Sequence, residues 1–141
     1  MKFDIADCAH IGFIHLMTVE NLKDCGEDFK KLKDNPDIWL RRFSDPRFFA
    51  LVGSHGRKPV GIVTGFIEDS SDGRRATLDA FFLRRQWRWK VKPLKKMVLA
   101  LNEFLTQNEI KKVEYEASEK NTNLLLKKGF VAGRIVMERK V

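Results

Sequence analysis

Apolar residues recur along this chain with two different periods, and each change of period marks an element. KFDI at 2–5 alternates and reads as a short strand. ADCAHIGFIHLM then places Ile11, Ile14 and Met17 at helical spacing behind Asp7, a residue suited to cap the turn. In GEDFKKLKDNPDIWLRRFSDP, Phe29 and Leu32 precede a break. Asn35 can cap there and Pro36 can open a second piece, with Ile38, Trp39 and Phe43 as its apolar face. RFFALVG, the turn SHGRK and PVGIVTGFIE form a hairpin by local chemistry. After the turn DSSDGRR comes ATLDAFFL, a third strand whose residues 78–83 are apolar except for Asp79. From Pro93 the period becomes helical, and Leu94, Met97, Val98, Leu101, Phe104 and Leu105 fall on one stripe. KKVEYEA at 111–117 alternates as a strand, SEKNTNLLLKKG reads as a helix ended by Gly129, and FVAGRIVMERKV closes the chain as a strand or hairpin.

Composition narrows the classes open to this pattern. With 141 residues, the chain has the size of one domain, 1–141, able to bury a sizeable core. No apolar run approaches the roughly 18 to 20 residues of a membrane helix, and the first ten residues, with acids at Asp4 and Asp7, lack the apolar core of a secretion signal. A soluble protein of the cytoplasm is expected. Cys8 and Cys25 have no metal-ligand spacing and read as free thiols. His10 and His15 are five apart, which does not place two ligands on one helix face, and no metal site is expected. Neither a G-x-S-x-G nucleophile turn nor a P-loop occurs.

The formal net charge of +8 favours acidic partners, and the charge is concentrated in RRQWRWKVKPLKKM at 84–97, which holds seven Arg or Lys residues. These cations can bind the phosphates of a cofactor or of nucleic acid. In the second case Trp87 and Trp89 would act as stacking platforms. A solvated basic loop is the plain alternative, and Trp at alternate positions is equally suited to packing inward.

The order of strand, helices, three strands, helix, strand, helix, strand resembles the GNAT superfamily of acetyl-CoA-dependent acyltransferases. FFALVGSHGRKPVGIVTGFIE looks like that family's second and third strands, with Gly61 following a valine as it often does there, and LLLKKGF at 124–130 looks like its LYEKLGF. The likeness runs from 48 to 131. It implies an α/β fold, more strictly α+β: a mixed, mainly antiparallel sheet of about six to seven strands flanked by helices, with the fourth and fifth strands splayed.

The resemblance also implies a site. The pantetheine arm of acetyl-CoA, the expected co-substrate, would lie along the edge of the fourth strand at Phe82, Leu83 and Arg84. Its pyrophosphate would meet backbone N–H groups where the next helix starts. Matching the family's YRGKGIG to WRWKVKP keeps Arg88 and Lys90 but puts Trp89, Val91 and Pro93 where the family has glycines. Side chains of Arg85, Arg88, Lys90, Lys92 and Lys95, with Lys96 nearby, would then take over phosphate binding, beside Val91 and Leu94. Asp79 is the carboxylate available as general base; an apolar surround would raise its pKa toward useful values, and the favoured alternative is a strand residue facing solvent or paired with one of the many cations. The family's tyrosine donor is replaced by Leu125. The lone Tyr115 reads as a packing residue, and Ser118 as an N-cap beside Asn121.

Three readings follow. The chain is an acetyltransferase acting on an amine of a small molecule or protein, a GNAT-fold binding or assembly part without catalysis, or a nucleic-acid-binding module. Small basic chains with eroded cofactor loops also resemble acetyltransferase-like proteins of tailed bacteriophages, including virion components.

Overall fold

The computed structural model describes all residues except 25, 31, 33, 34, 36, 89, 116–130, 133–136 and 141. Strand β1 (Lys2–Ile5) leads into a 3-10 turn at Cys8–His10 and helix α1 (Ile11–Asp24). Asp7 caps that turn as its sequence position suggests: the Ala9 N–H donates to Asp7 Oδ1 at 2.9 Å, and the Asp7 N–H donates to His10 Nδ1 at 3.2 Å. Helix α2 (Ile38–Ser44) starts after Asp37, and the proposed capping at Asn35–Pro36 touches residues outside the described set. Strands β2 (Phe48–His55), β3 (Lys58–Ser70) and β4 (Gly73–Leu83) follow. A second 3-10 turn (Arg85–Trp87) leads to helix α3 (Val91–Gln107) and strand β5 (Ile110–Tyr115). The chain ends in β6 (Val131–Ala132) and β7 (Met137–Lys140), an antiparallel pair. The helix expected over 118–129 lies outside the described residues.

The strands form one seven-stranded sheet in the order β1-β2-β3-β4-β5-β7-β6. Every neighbouring pair is antiparallel except β4 and β5. A parallel pair needs a crossover, and α3 supplies it, returning the chain across one face of the sheet. This is the α+β architecture expected from the order of elements.

Each face has its own core. On one side the α3 stripe buries Leu94, Met97, Leu101, Phe104 and Leu105 against Val63, Ala76, Leu78, Phe81 and Val113. Val98, on the same predicted stripe, is half-buried beside them. On the other side Ile14 and Met17 of α1 and Trp39 of α2 pack on Ala50, Val52, Ile62, Ala80 and Phe82. Trp39 is fully buried, and its Nε1 donates to His15 Nδ1 at 3.0 Å, fastening α2 to α1.

A β-bulge in β4 decides which residues reach which core. Thr64 of β3 pairs with Ala80 but Gly65 pairs with Leu78, so Asp79 is an extra residue opposite the join. Side chains alternate with a period of two, and one extra residue reverses the phase. Ala76 and Leu78 face α3 before the bulge; after it Phe81 and Leu83 face α3, while Ala80 and Phe82 face α1 and α2. Both faces of residues 80–83 are buried, which explains why the sequence there is a continuous apolar run.

Glycine at 61 is required by close approach: a Cβ there would come within 2.6 Å of the Phe82 carbonyl oxygen and 2.8 Å of Leu83 Cδ2. Gly61→Ala is expected to cost about 1–3 kcal/mol, seen as a lower urea midpoint; an unchanged midpoint would refute this packing. His15→Ala leaves the buried Trp39 donor without an acceptor and is expected to destabilise by about 1–3 kcal/mol. Recovery of stability in His15→Gln, which restores an acceptor, would separate the hydrogen bond from lost packing.

Candidate functional site at the free edge of β4

The pairing of β4 with β5 runs from Arg74 opposite Ile110 to Leu78 opposite Tyr115, the last described residue of β5. Residues Asp79–Leu83 continue beyond it, and among the described residues no strand pairs with that edge. The described pairing of β4 with β5 therefore ends just before the bulge.

The backbone groups that point along this edge follow from the pairing with β3. The Arg84 N–H donates to Val60 O at 2.8 Å, and the Phe82 carbonyl is the one that crowds Gly61. Phe82 and Arg84 thus turn their backbone groups toward β3. By antiparallel alternation, Phe81 and Leu83 turn theirs toward the open edge. Of the expected edge residues Phe82, Leu83 and Arg84, only Leu83 presents its amide and carbonyl there, and Phe81 joins it. The side chains of Phe82 and Leu83 are buried, one in each core.

The basic stretch after β4 is clasped to α1. Arg84 forms a two-pronged pair with Glu20, at 3.1 Å from Nε and 2.9 Å from Nη2. Arg85 and Arg88 share Asp24: Arg85 lies 3.5 Å from one carboxylate oxygen and Arg88 donates to the other. Arg88 Nε also donates to the Leu83 carbonyl oxygen at 2.6 Å, and its guanidinium lies 4.9 Å from the centre of the Phe82 ring. Arg85 and Arg88, read from sequence as phosphate ligands, and Arg84, read as an edge residue, thus all have carboxylate partners on α1. The signal available in the sequence was the spacing of Glu20 and Asp24, four apart on one helix face.

The lysines are placed differently. Lys90 precedes α3 with extended backbone and no side-chain capping bond, and its Nζ lies 5.0 Å from the centre of the Trp87 ring. Lys92 and Lys95 are exposed in the first turns of α3, where no acidic residue stands, and Lys96 Nζ donates to the Met1 carbonyl oxygen at 3.1 Å. Val91 and Lys92 present amides at this end of the helix. Pro93 has none, and Leu94 is turned into the core at 8% exposure. Trp87 is half-buried, with its ring centre 5.5 Å from that of His55, while Trp89 lies outside the described residues.

Asp79 stands at the bulge, where α2 reaches it. Arg42 Nη1 donates to Asp79 Oδ2 at 2.9 Å, and the Asp79 side chain is 42% exposed. The surround is therefore an ion pair open to solvent, the alternative favoured for this residue from sequence, and not an apolar one. Arg42, which sequence reading did not single out, also lies over the Trp39 ring at 4.9 Å. Just beyond α2, the side chain of Arg47 hydrogen-bonds to Asp45 and holds its carboxyl below the ordinary carboxylate range.

Among the described residues no cluster of His, Cys, Asp or Glu is arranged to hold a metal ion, and Cys8 is an exposed free thiol. None of the described helices is long and apolar enough to cross a membrane. Tyr115 is buried beside Phe81 in the α3-side core. Leu125, Ser118 and Asn121 lie outside the described residues.

No family model matches this sequence, and no curated protein matches it. Solved structures do match its fold. A predicted acetyltransferase with acetyl-CoA from Clostridium acetobutylicum superposes with a TM-score of 0.79 at 14% identity, covering 94% of this chain and 91% of that one. A GCN5-related N-acetyltransferase from Ralstonia eutropha gives 0.77 at 14% identity, covering 94% of each. The PaiA N-acetyltransferase from Thermoplasma acidophilum, in complex with coenzyme A, gives 0.72 at 14% identity with 100% of both chains covered. With its mixed sheet, crossover helix and these superpositions, the chain has the fold of the GCN5-related N-acetyltransferases.

Proposed function

We propose that this protein is a divergent N-acetyltransferase that moves an acetyl group from acetyl-CoA to an amine of a small molecule or protein. The observation that carries this reading is the open edge of β4 ending beside the basic start of α3, within a fold whose solved examples include complexes with acetyl-CoA and with CoA.

The acetyl thioester supplies the electrophile. The amide and carbonyl groups of Phe81 and Leu83 pair with the amides of the pantetheine arm and hold the thioester along the strand. The backbone N–H groups of Val91 and Lys92, with Lys90, Lys92 and Lys95, face the phosphates. Because Pro93 removes a donor and Val91 stands where a glycine would let the backbone approach, these contacts rest more on side chains than on main chain. Asp79 takes the proton that the attacking amine must lose, directly or through one water. Its hydrogen bond from Arg42 holds the carboxylate in place at the bulge.

The same ion pairs favour a second reading, a binding or assembly part that keeps the fold without catalysis. Arg42 balances Asp79, and the loop arginines are held by α1. A nucleic-acid interface on residues 84–97 has less support, since Trp87 packs against His55 and the arginines are paired.

Calorimetric titration with acetyl-CoA tests the first reading, binding supporting it and no binding overturning it, and repetition with single-stranded DNA at low and high salt separates the second reading from the third. Joint replacement of Arg88 and Lys90 by Ala is expected to weaken acetyl-CoA binding at least about tenfold, near 1.4 kcal/mol; unchanged affinity would remove both from the site. Asp79→Asn is expected to abolish acetyl transfer to a panel of small amines while CoA affinity stays near that of the parent protein. Full activity in that variant would leave Asp79 with only its structural pairing to Arg42.

A further inference from the structure

The Leu83 carbonyl is an acceptor that an added strand-like ligand would need, and in this structure Arg88 already uses it. Arg88 is held there from three directions: by the Leu83 oxygen, by Asp24 and by the Phe82 ring beneath its guanidinium. Resting on the CoA-site reading above, we propose that Arg88 is a specificity-determining residue that makes occupation of the β4 edge conditional on a phosphate group.

The argument is one of exchange. A ligand amide that takes the Leu83 oxygen replaces a charge-assisted hydrogen bond with a neutral one, which is about half as strong. An unphosphorylated pantetheine offers nothing further, and the exchange runs against it. A phosphate arriving at the start of α3 offers the displaced guanidinium a two-pronged anionic partner, and the exchange then runs in the ligand's favour. Asp24 is not left bare by the move, because Arg85 lies 3.5 Å from its other oxygen and is itself largely exposed. The sharing of one carboxylate by two arginines lets one of them leave. Glu20, four residues earlier on α1, keeps Arg84 in place, so the end of β4 stays anchored while Arg88 moves.

The test compares coenzyme A with unphosphorylated pantetheine by calorimetry, on the parent protein and on Arg88→Ala. The variant frees the Leu83 oxygen and removes the phosphate partner. Pantetheine is therefore expected to bind about threefold tighter and coenzyme A about threefold or more weaker, so that discrimination between the two falls roughly tenfold. Should Arg88→Ala fail to fold by circular dichroism, Arg88→Met keeps an apolar stem over Phe82 without any donor and gives the same readout. If coenzyme A binds the parent but both ligands weaken together in the variant, or neither changes, Arg88 is no selector and the proposal is overturned while the CoA-site reading stands. If neither ligand binds the parent or the variant, the CoA-site reading falls and takes the proposal with it.

Discussion

The single residue by which β4 outgrows β3 governs much of this molecule. Asp79 is the bulged residue, and because strand side chains alternate strictly, its insertion reverses which face each later residue addresses. Were Asp79 paired in regular alternation and not bulged, Phe81 and Leu83 would turn away from α3, and Ala80 and Phe82 would turn away from α1 and α2. Two separate cores depend on that phase. A bulge also bends and twists its strand, and it is at this point that β4 parts from the described portion of β5. The edge that no described strand pairs and the carboxylate beside it thus meet at one residue.

Charge in this protein works by placement more than by sum. The chain carries a formal net charge of +8, yet the arginines nearest the strand end are balanced by Glu20 and Asp24. Partly exposed pairs of this kind contribute about 0–1 kcal/mol each, so their effect is chiefly to orient. They hold the loop after β4 against α1 and aim Arg88 at the strand edge. The lysines at 90, 92 and 95 stand at the positive end of the α3 dipole with no acid in its first turn. Cationic potential is thereby concentrated beside the edge, where an anionic ligand would meet it.

Under the proposed function, the bulky residues and the cations before α3 have a common physical meaning. A glycine-rich loop binds phosphate through main-chain N–H groups at close range; bulky residues and a proline keep the backbone back and remove a donor. In the proposed site, long lysine side chains would span the added distance at the cost of side-chain order. A site built this way depends more on salt and less on shape than one built from glycines.

The sequence by itself determined the elements whose cause is local: the apolar stripe of α3, the hairpin of β2 and β3, the Asp7 cap, and the buried run that ends β4. Periodicity and capping are written within a few residues, so they can be read there. Even the resemblance to the acetyltransferase fold rested on the order of such elements. Only the tertiary structure decided that Phe81 and Leu83, not Phe82 and Arg84, face the open edge, because that depends on register with β3 across the bulge. It also decided that Arg42 would meet Asp79 and that Arg88 would meet Asp24, partners 37 and 64 residues apart. No local pattern encodes which of 27 cations finds which carboxylate. That choice is made when the helices dock on the sheet, since hydrophobic packing sets where they lie and the charges pair with whatever the packing brings near.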